Sequence, residues 1–285
     1  IVMRLVGSEM CIRDSGYAKG YNEAVKYIDE DVIIFLNNDA VFLDSDSFST
    51  IKKTFESNEM ISIAQPRILD YNNQDKYEYA GASGGYLDFL GYPFCRGRIL
   101  GNIEKSDKYN TTREIFWASG SCFIIRKSIF KLLNGFDEDF FCHMEEIDLC
   151  WRLKNLDSSY KIITIGKANV YHVGGGTMQY GGNRKNYLNF RNSLVMLIKN
   201  LPKKYFIFSL FLRLICDLFI LIFSVLLFRF GLSFSILSAY YFNILNFRKS
   251  LSKRKKGLGS YKYFICFSIL INYYFFGKKT FSSIK

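Results

Sequence analysis

Residues 31–42 read DVIIFLNNDAVF. Val32 to Leu36 is an unbroken apolar run of strand length, the mark of a strand covered on both faces in a parallel sheet. It stops abruptly at Asn37-Asn38-Asp39. Ahead of it, GYAKGYNEAVKYI (16–28) puts Ala18, Tyr21, Val25 and Ile28 at helical spacing. Behind it, DSFSTIKKTFESN (46–58) reads as a helix and ISIAQPRIL (61–69) as a second strand. Helix–strand–helix–strand order predicts an α/β fold on a mostly parallel sheet with flanking helices. Ligands in such sheets bind beyond the carboxyl ends of strands, and Asn37 and Asp39 stand at one.

Further along, 70–116 is rich in Gly, Tyr and Asp and reads as loops and short edge strands. A strand over 122–125 precedes a helix over about 127–133, with Gly135 as its stop. The stretch 137–153, DEDFFCHMEEIDLCWRL, crowds Glu145, Glu146 and Asp148 among Phe140, Phe141, Met144, Ile147, Leu149 and Trp151. It predicts a helix from about Glu145 to Leu156. KIITIGKANVYHVGGGT (161–177) reads as short strands and a Gly-rich turn, and 186–201 as a helix.

Composition sets the limits. Hydrophobic residues are 49% of the 285 and aromatics 18%, so the chain folds. Residues 203–285 hold 14 Lys/Arg and one Asp, a charge of +13, whereas 1–202 carries −1. A local basic excess beside long apolar runs points to an anionic membrane rather than nucleic acid, and no nucleic-acid-binding motif accompanies it. The seven cysteines form no C-x-x-C pair, and Cys122, Cys150 and Cys216 read as small buried hydrophobes.

Two terminal stretches stand apart. IVMRLVGSEMCIRDS (1–15) lacks a sustained period and the apolar core of a signal peptide; it reads as foreign sequence that replaces the natural N-terminus. In the last third, 205–228 is apolar except for Arg213 and Asp217, which are spaced to pair on one helix face. A second run (230–247) predicts a hairpin turning near 229–231, able to span or lie on a membrane. The third (261–276) is short and reads as interfacial. Flanking basic residues predict attachment at the cytoplasmic face. The competing reading is a packed helical subdomain.

Candidate chemistry sits at three places. Asp39 with Asn37 could give a hard divalent ion one or two oxygens, with a diphosphate supplying others; a capped turn is the alternative. His172, in VYHVGGGT, could complete that site, the nitrogen favouring Mn²⁺ somewhat over Mg²⁺, with the following glycines approaching a phosphate. A hydrogen-bonded strand-end histidine is the alternative, and His143 is read that way outright. Glu145, Glu146 and Asp148 are the candidate catalytic acids. Acids are favoured at a helix N-terminus anyway. Asp148 is spaced to pair with Arg152 and tie down the helix, which leaves a glutamate as general base.

GYAKGYNEAV, IIFLNNDAVF, FWASGSCFIIRKSIF, GFDEDFFCHMEEIDLCWRL, VYHVGGGT and NYLNFRNSLVMLIKNLP together resemble, over about 16–202, bacterial glycosyltransferase family 2, most of all its rhamnosyltransferase-like branch. The resemblance implies a GT-A fold whose first strand–helix–strand unit this chain lacks. It implies inverting transfer from a nucleotide-diphosphate sugar to a cell-surface polysaccharide or lipid-linked saccharide. Asp39 matches the metal-binding D-x-D position, with Asn37 beside it, and His172 a metal- or diphosphate-contacting histidine. Glu146 stands where the family usually places an Asp, the proposed base. Trp117, Ser119 and Gly120 match an acceptor-side element, and Arg191 and Asn192 the Arg-Asn near the module's end. The implied cofactor is Mg²⁺ or Mn²⁺. A nucleotidyltransferase and an inactive membrane-bound fragment are the other readings; the surviving sequence has no Gly-rich triphosphate loop of the kind the former needs.

Overall fold

The structure, a computed structural model, describes residues 9–78, 81–173, 182–254 and 262–284. The first helix, α1 (Glu9–Ala24), begins inside the stretch read as foreign sequence and breaks at Gly16, whose φ of 77° and ψ of 169° are non-helical. It delivers the chain to β1 (Val32–Leu36) and the short β2 (Ala40–Val41), then α2 (Asp46–Ser57) and β3 (Ile61–Asp70). The expected order of elements therefore holds.

Strand direction does not follow the expectation of a mostly parallel sheet. The main sheet runs β1-β9-β3-β10-β2, where β9 is Cys122–Arg126 and β10 is Lys161–His172; β8 (Arg113–Glu114) also pairs β10. Only β3–β10 is parallel; β1–β9, β3–β9, β10–β2 and β10–β8 are antiparallel. Among the described residues β1 is an edge strand, not a central one. Its burial alternates: Ile33 and Phe35 are deeply buried, whereas Val32, Ile34 and Leu36 are half-buried beside the cluster containing Ile51 and Phe55 of α2. An unbroken apolar run reports two covered faces, and says nothing about the direction of the strand beside it.

Strand β10 is one element of twelve residues rather than several short ones, with a register shift between Ile165 and Asn169. The irregularity lets it continue past the bend until His172 lies opposite Ala40 of β2. A second sheet, made within 70–116 as expected, has the order β11-β4-β5-β6-β7. Its strands are β4 (Gly85–Asp88), β5 (Pro93–Cys95), β6 (Arg98–Ile99), β7 (Asn102–Ile103) and, from the far end of the chain, β11 (Phe264–Cys266).

After β9 come α3 (Lys127–Leu132) and α4 (Glu145–Leu156), then α5 (Asn183–Asn200). Helix α4 buries Ile147, Leu149, Cys150, Trp151 and Leu153, which accounts for the apolar residues threaded among its acids. The apolar tail forms the expected hairpin, α6 (Lys203–Leu226) and α7 (Phe230–Leu245), followed by α8 (Phe247–Ser252), α9 (Ile269–Tyr274) and α10 (Phe281–Ile284). The third apolar run is not an interfacial helix throughout. Phe264 in β11 pairs in parallel with Leu87 of β4, Tyr263 lies 4.8 Å from the Trp151 ring, and the Ile269 N–H donates to Asp88. The chain thus adds a strand to the second sheet after the hairpin.

Candidate active site

Asp39 and His172 meet where β2 pairs the end of β10. His172 Nε2 lies 3.0 Å from Asp39 Oδ1, and its Nδ1 lies 3.3 Å from Glu78 Oε2. The Nδ1 contact lacks hydrogen-bond alignment, so this buried nitrogen has no hydrogen-bond partner. Burial opposes charge on the ring, but Asp39 and then Glu78 outweigh it and raise the His172 pKa to about 9. Glu78 is itself buried. Sequence reading missed it because it falls in the irregular stretch 70–116; a lone Glu among Tyr and Gly was the only signal.

These residues fit a divalent ion. Adjacent ligands on an octahedral ion at 2.0–2.1 Å stand about 3.0 Å apart, which is the Asp39–His172 separation observed. A carboxylate facing the other ring nitrogen is the usual orienting partner of a metal-bound histidine. The two carboxylates flank opposite sides of the ring, and among the described residues no three His, Cys, Asp or Glu side chains converge as a metal cluster. Further ligands would come from the donor and water. The side chain of Asn37 shows no contact that would place it in this group; its N–H donates to Ser121 O and its carbonyl accepts from Ala40. The glycines 174–176, expected to approach a phosphate, lie outside the described residues.

The acids of 137–148 differ in their surroundings, and the exposed Glu138 accepts a hydrogen bond from the Asn22 side chain. Asp137 accepts Lys199 at 2.6 Å and Lys253 at 2.6 Å. Asp139 pairs with Lys249 and Lys253. Asp148, fully buried, takes Arg152 at 2.8 Å, Lys199 at 2.8 Å and Asn200 at 2.7 Å. Burial alone would raise the Asp148 pKa, yet Lys199 and Arg152 hold it below the usual range. Asp148 pairs with Arg152 within α4, as their i,i+4 spacing indicates, and through Lys199 and Asn200 it also ties α4 to α5.

Glu145 and Glu146 are the exceptions. Each has a shielded Oε2 with no hydrogen-bond partner. Burial, reinforced by the Glu146 charge, raises the Glu145 pKa well above its ordinary value. Burial raises Glu146 to about 7 against the pull of backbone N–H groups that include Gly120. Gly120 lies at contact distance: a Cβ there would stand 3.9 Å from the Glu146 carboxyl carbon and 3.2 Å from the Tyr17 hydroxyl oxygen. Tyr17 donates that hydroxyl to Gly120 O at 2.9 Å.

The remaining candidates position rather than face the site. Trp117 lies flat on Gly85, where a Cβ would come within 1.9 Å of the ring, and donates its indole N–H to Tyr86 O. Ser119 donates its N–H to Gln65, and its hydroxyl oxygen accepts from the Ser121 N–H. Arg191 and Asn192 grip the segment that leads into α4. Arg191 donates to the carbonyls of Asp139 and Phe140, and Asn192 to those of Phe140, Cys142 and His143. The grip is needed because Phe141, His143 and Met144 have φ of 64°, 70° and 72°, which costs about 1–3 kcal/mol for each non-glycine residue. His143 departs from the hydrogen-bonded role expected of it: its Nε2 is buried without a hydrogen-bond partner, and burial lowers its pKa to about 4.

The mixed α/β body thus brings an acid–histidine pair to one strand end and two buried glutamates with raised pKa to a helix start. The sequence profile of the family described as Glycosyltransferase like family 2 matches residues 8–206, and the chain belongs to that family. The rhamnosyltransferase WbbL of Escherichia coli is 28% identical over 145 residues, 48% of this chain and 54% of that protein. The low-salt glycan biosynthesis hexosyltransferase Agl10 of Haloferax volcanii is 25% identical over 186 residues, 62% of this chain and 55% of that one. An N-acetylglucosaminyl-diphospho-decaprenol L-rhamnosyltransferase of Mycobacterium tuberculosis is 38% identical over 60 residues, 21% of this chain and 19% of that one. The chain spans about half the length of the first two relatives.

Proposed function

We propose that this protein is an inverting glycosyltransferase that moves a sugar, in the manner of a rhamnosyltransferase, from a nucleotide-diphosphate donor to a saccharide acceptor, lipid-linked and presented at the cytoplasmic face of the membrane. The observation that carries the reading is the contrast within one stretch. Asp137, Asp139 and Asp148 are ion-paired, whereas Glu145 and Glu146 each keep an unpaired, shielded oxygen. A carboxyl held near neutral pKa suits general-base work at neutral pH.

Glu146 takes the proton of the acceptor hydroxyl. The hydroxyl oxygen bonds to the anomeric carbon as the bond from that carbon to the diphosphate oxygen breaks, and the nucleoside diphosphate leaves. One displacement inverts the centre. Asp39 and His172 would hold Mg²⁺ or Mn²⁺, with Glu78 orienting the imidazole; the ion supplies positive charge for the leaving diphosphate. Arg191 and Asn192 hold the turn that aims Glu146. The test is release of nucleoside diphosphate from a panel of nucleotide sugars, with and without chelator. Chelator-sensitive release that Glu146→Gln slows by about 10²–10⁴-fold supports the reading. Release of pyrophosphate from a sugar phosphate and a nucleoside triphosphate would replace it with a nucleotidyltransferase.

A further inference from the structure

The two tail helices are built inside out. The buried side chains of α6 are Ser209, Arg213, Asp217 and Ser224, all polar. Its exposed ones include Phe211, Phe219 and Phe223. A helix of a water-soluble body shows the reverse. Helix α7 repeats the pattern in part, with Ser233, Ser235 and Asn243 inward beside the apolar Ile236 and Ala239, and Phe234, Leu237 and Ile244 outward. Most of the large exposed hydrophobic side chains among the described residues lie on this hairpin. By length and composition α6 could cross a membrane.

The inward face forbids that crossing while the fold is intact. Ser209 donates to Phe89 O at 2.8 Å. Arg213 donates to Leu90 O, to Ser193 on α5 and to Asp217. Asp217 accepts Tyr92 and Tyr240. On α7, Ser235 donates to Asn183 O and Asn243 to Arg191 O, at the two ends of one stretch of α5. A spanning α6 would carry the β4–β5 turn and α5 into the hydrocarbon, and with them the Arg191–Asn192 grip on the Glu146 turn. Undoing the contacts would strand a buried ion pair.

We infer that the α6–α7 hairpin is a monotopic membrane foot: it stays clamped to the catalytic body through its polar face and beds its outer apolar face in the plane of an anionic bilayer. This rests on the membrane placement proposed above and specifies its form. The charge at the margins selects lipid over a second copy of the chain. Lys203 and Lys204 open α6, Arg229 lies in the turn and Arg248 follows α7, all exposed. A second copy would present the same positive margin and repel, whereas anionic headgroups neutralise it. The patch also continues beyond the hairpin, because Phe208 of α6 and Phe267 after β11 both pack on Phe89.

Depth-resolved quenching tests this on the full chain. Phe211→Trp, Phe219→Trp and Phe228→Trp are mixed singly with phosphatidylglycerol–phosphatidylcholine vesicles brominated at shallow or deep acyl positions. The native Trp117 and Trp151 are buried and give the same background in every variant. An in-plane foot gives shallow quenching that is alike at all three positions, roughly 5–10 Å into the boundary. A crossing helix would put positions 211 and 219 about 12 Å apart in depth; that gradient would overturn the foot while leaving membrane attachment in place. No quenching at any position, with a stable dimer in sedimentation, would overturn attachment as well. Phe219→Glu with Phe234→Glu should lower vesicle affinity about tenfold or more without changing the thermal transition in lipid-free buffer; unchanged affinity counts against the foot.

Discussion

Asp39 and His172 lie 133 positions apart in the chain and 3.0 Å apart in space. The contact follows from pairing: β10 runs parallel to β3 as far as His172, and on its other side Tyr171 and His172 pair with β2, the two-residue strand that begins just after Asp39. Glu78 approaches the far side of the same ring.

Glu78→Gln removes the charge that orients the imidazole while keeping its shape. Mn²⁺ affinity, read by titration calorimetry, is expected to fall roughly 10–100-fold, with the circular dichroism spectrum unchanged. An unaltered affinity would separate Glu78 from the ion site.

Glu146→Gln is expected to reduce turnover by about 10²–10⁴-fold with donor binding kept, and Glu145→Gln by less. Only the deprotonated carboxylate can accept a proton, so a pKa raised to about 7 makes the rate rise through pH 7 and level above it. The residual activity of Glu146→Gln should lack that limb. Equal losses in both variants would defeat the assignment.

The same burial has a stability consequence. An acid whose folded-state pKa is raised above its unfolded value favours the folded state least once it must ionise, so its contribution falls as pH rises from its unfolded pKa, near 4.3, towards the folded one. Glu145, buried with an unpaired oxygen, should therefore behave differently at the two ends of the scale. Glu145→Gln is expected to raise Tm at pH 8 and leave it nearly unchanged at pH 4. A stabilisation of the same size at both values would point to packing rather than charge.

Asn192→Ala leaves the carbonyls of Phe140, Cys142 and His143 without their shared donor. The expected cost is about 1–3 kcal/mol in denaturant unfolding, with a fall in kcat larger than any change in donor KM because the Glu146 turn loosens. Loss of stability with kcat intact would confine Asn192 to a structural role.

Removal of all residues after Leu201 takes away more than the apolar hairpin. In the folded chain it strips β11 from β4 and uncovers Trp151 by taking away Tyr263. The expected outcome is loss of a cooperative thermal transition, measured by calorimetry. A truncated protein that melts cooperatively at the parent temperature would show that the return strand is dispensable.

The sequence by itself determined what depends on neighbours along the chain. Helix α4 starts at Glu145 and ends at Leu156 as its acids and apolar spacing indicate. The Arg213–Asp217 pair forms because four positions are one helical turn. The hairpin breaks where the apolar runs are interrupted. Asp39 and His172 were legible as candidate partners from their residue types at element ends, and the family pattern in which they sit points to the same pair. Tertiary structure decided the rest, because each remaining fact needs a partner that sequence distance hides. Pairing along one side only, with β9, left β1 at an edge of the sheet among the described residues. Glu78 acquired a role only when β10 brought His172 beside it. Arg191 and Asn192 became a grip because Phe141, His143 and Met144 adopt positive φ. The apolar tail gained its orientation because its few polar side chains found acceptors on the catalytic body: a buried charge or hydroxyl must be paired, and where its partner lies is fixed only when the chain has folded.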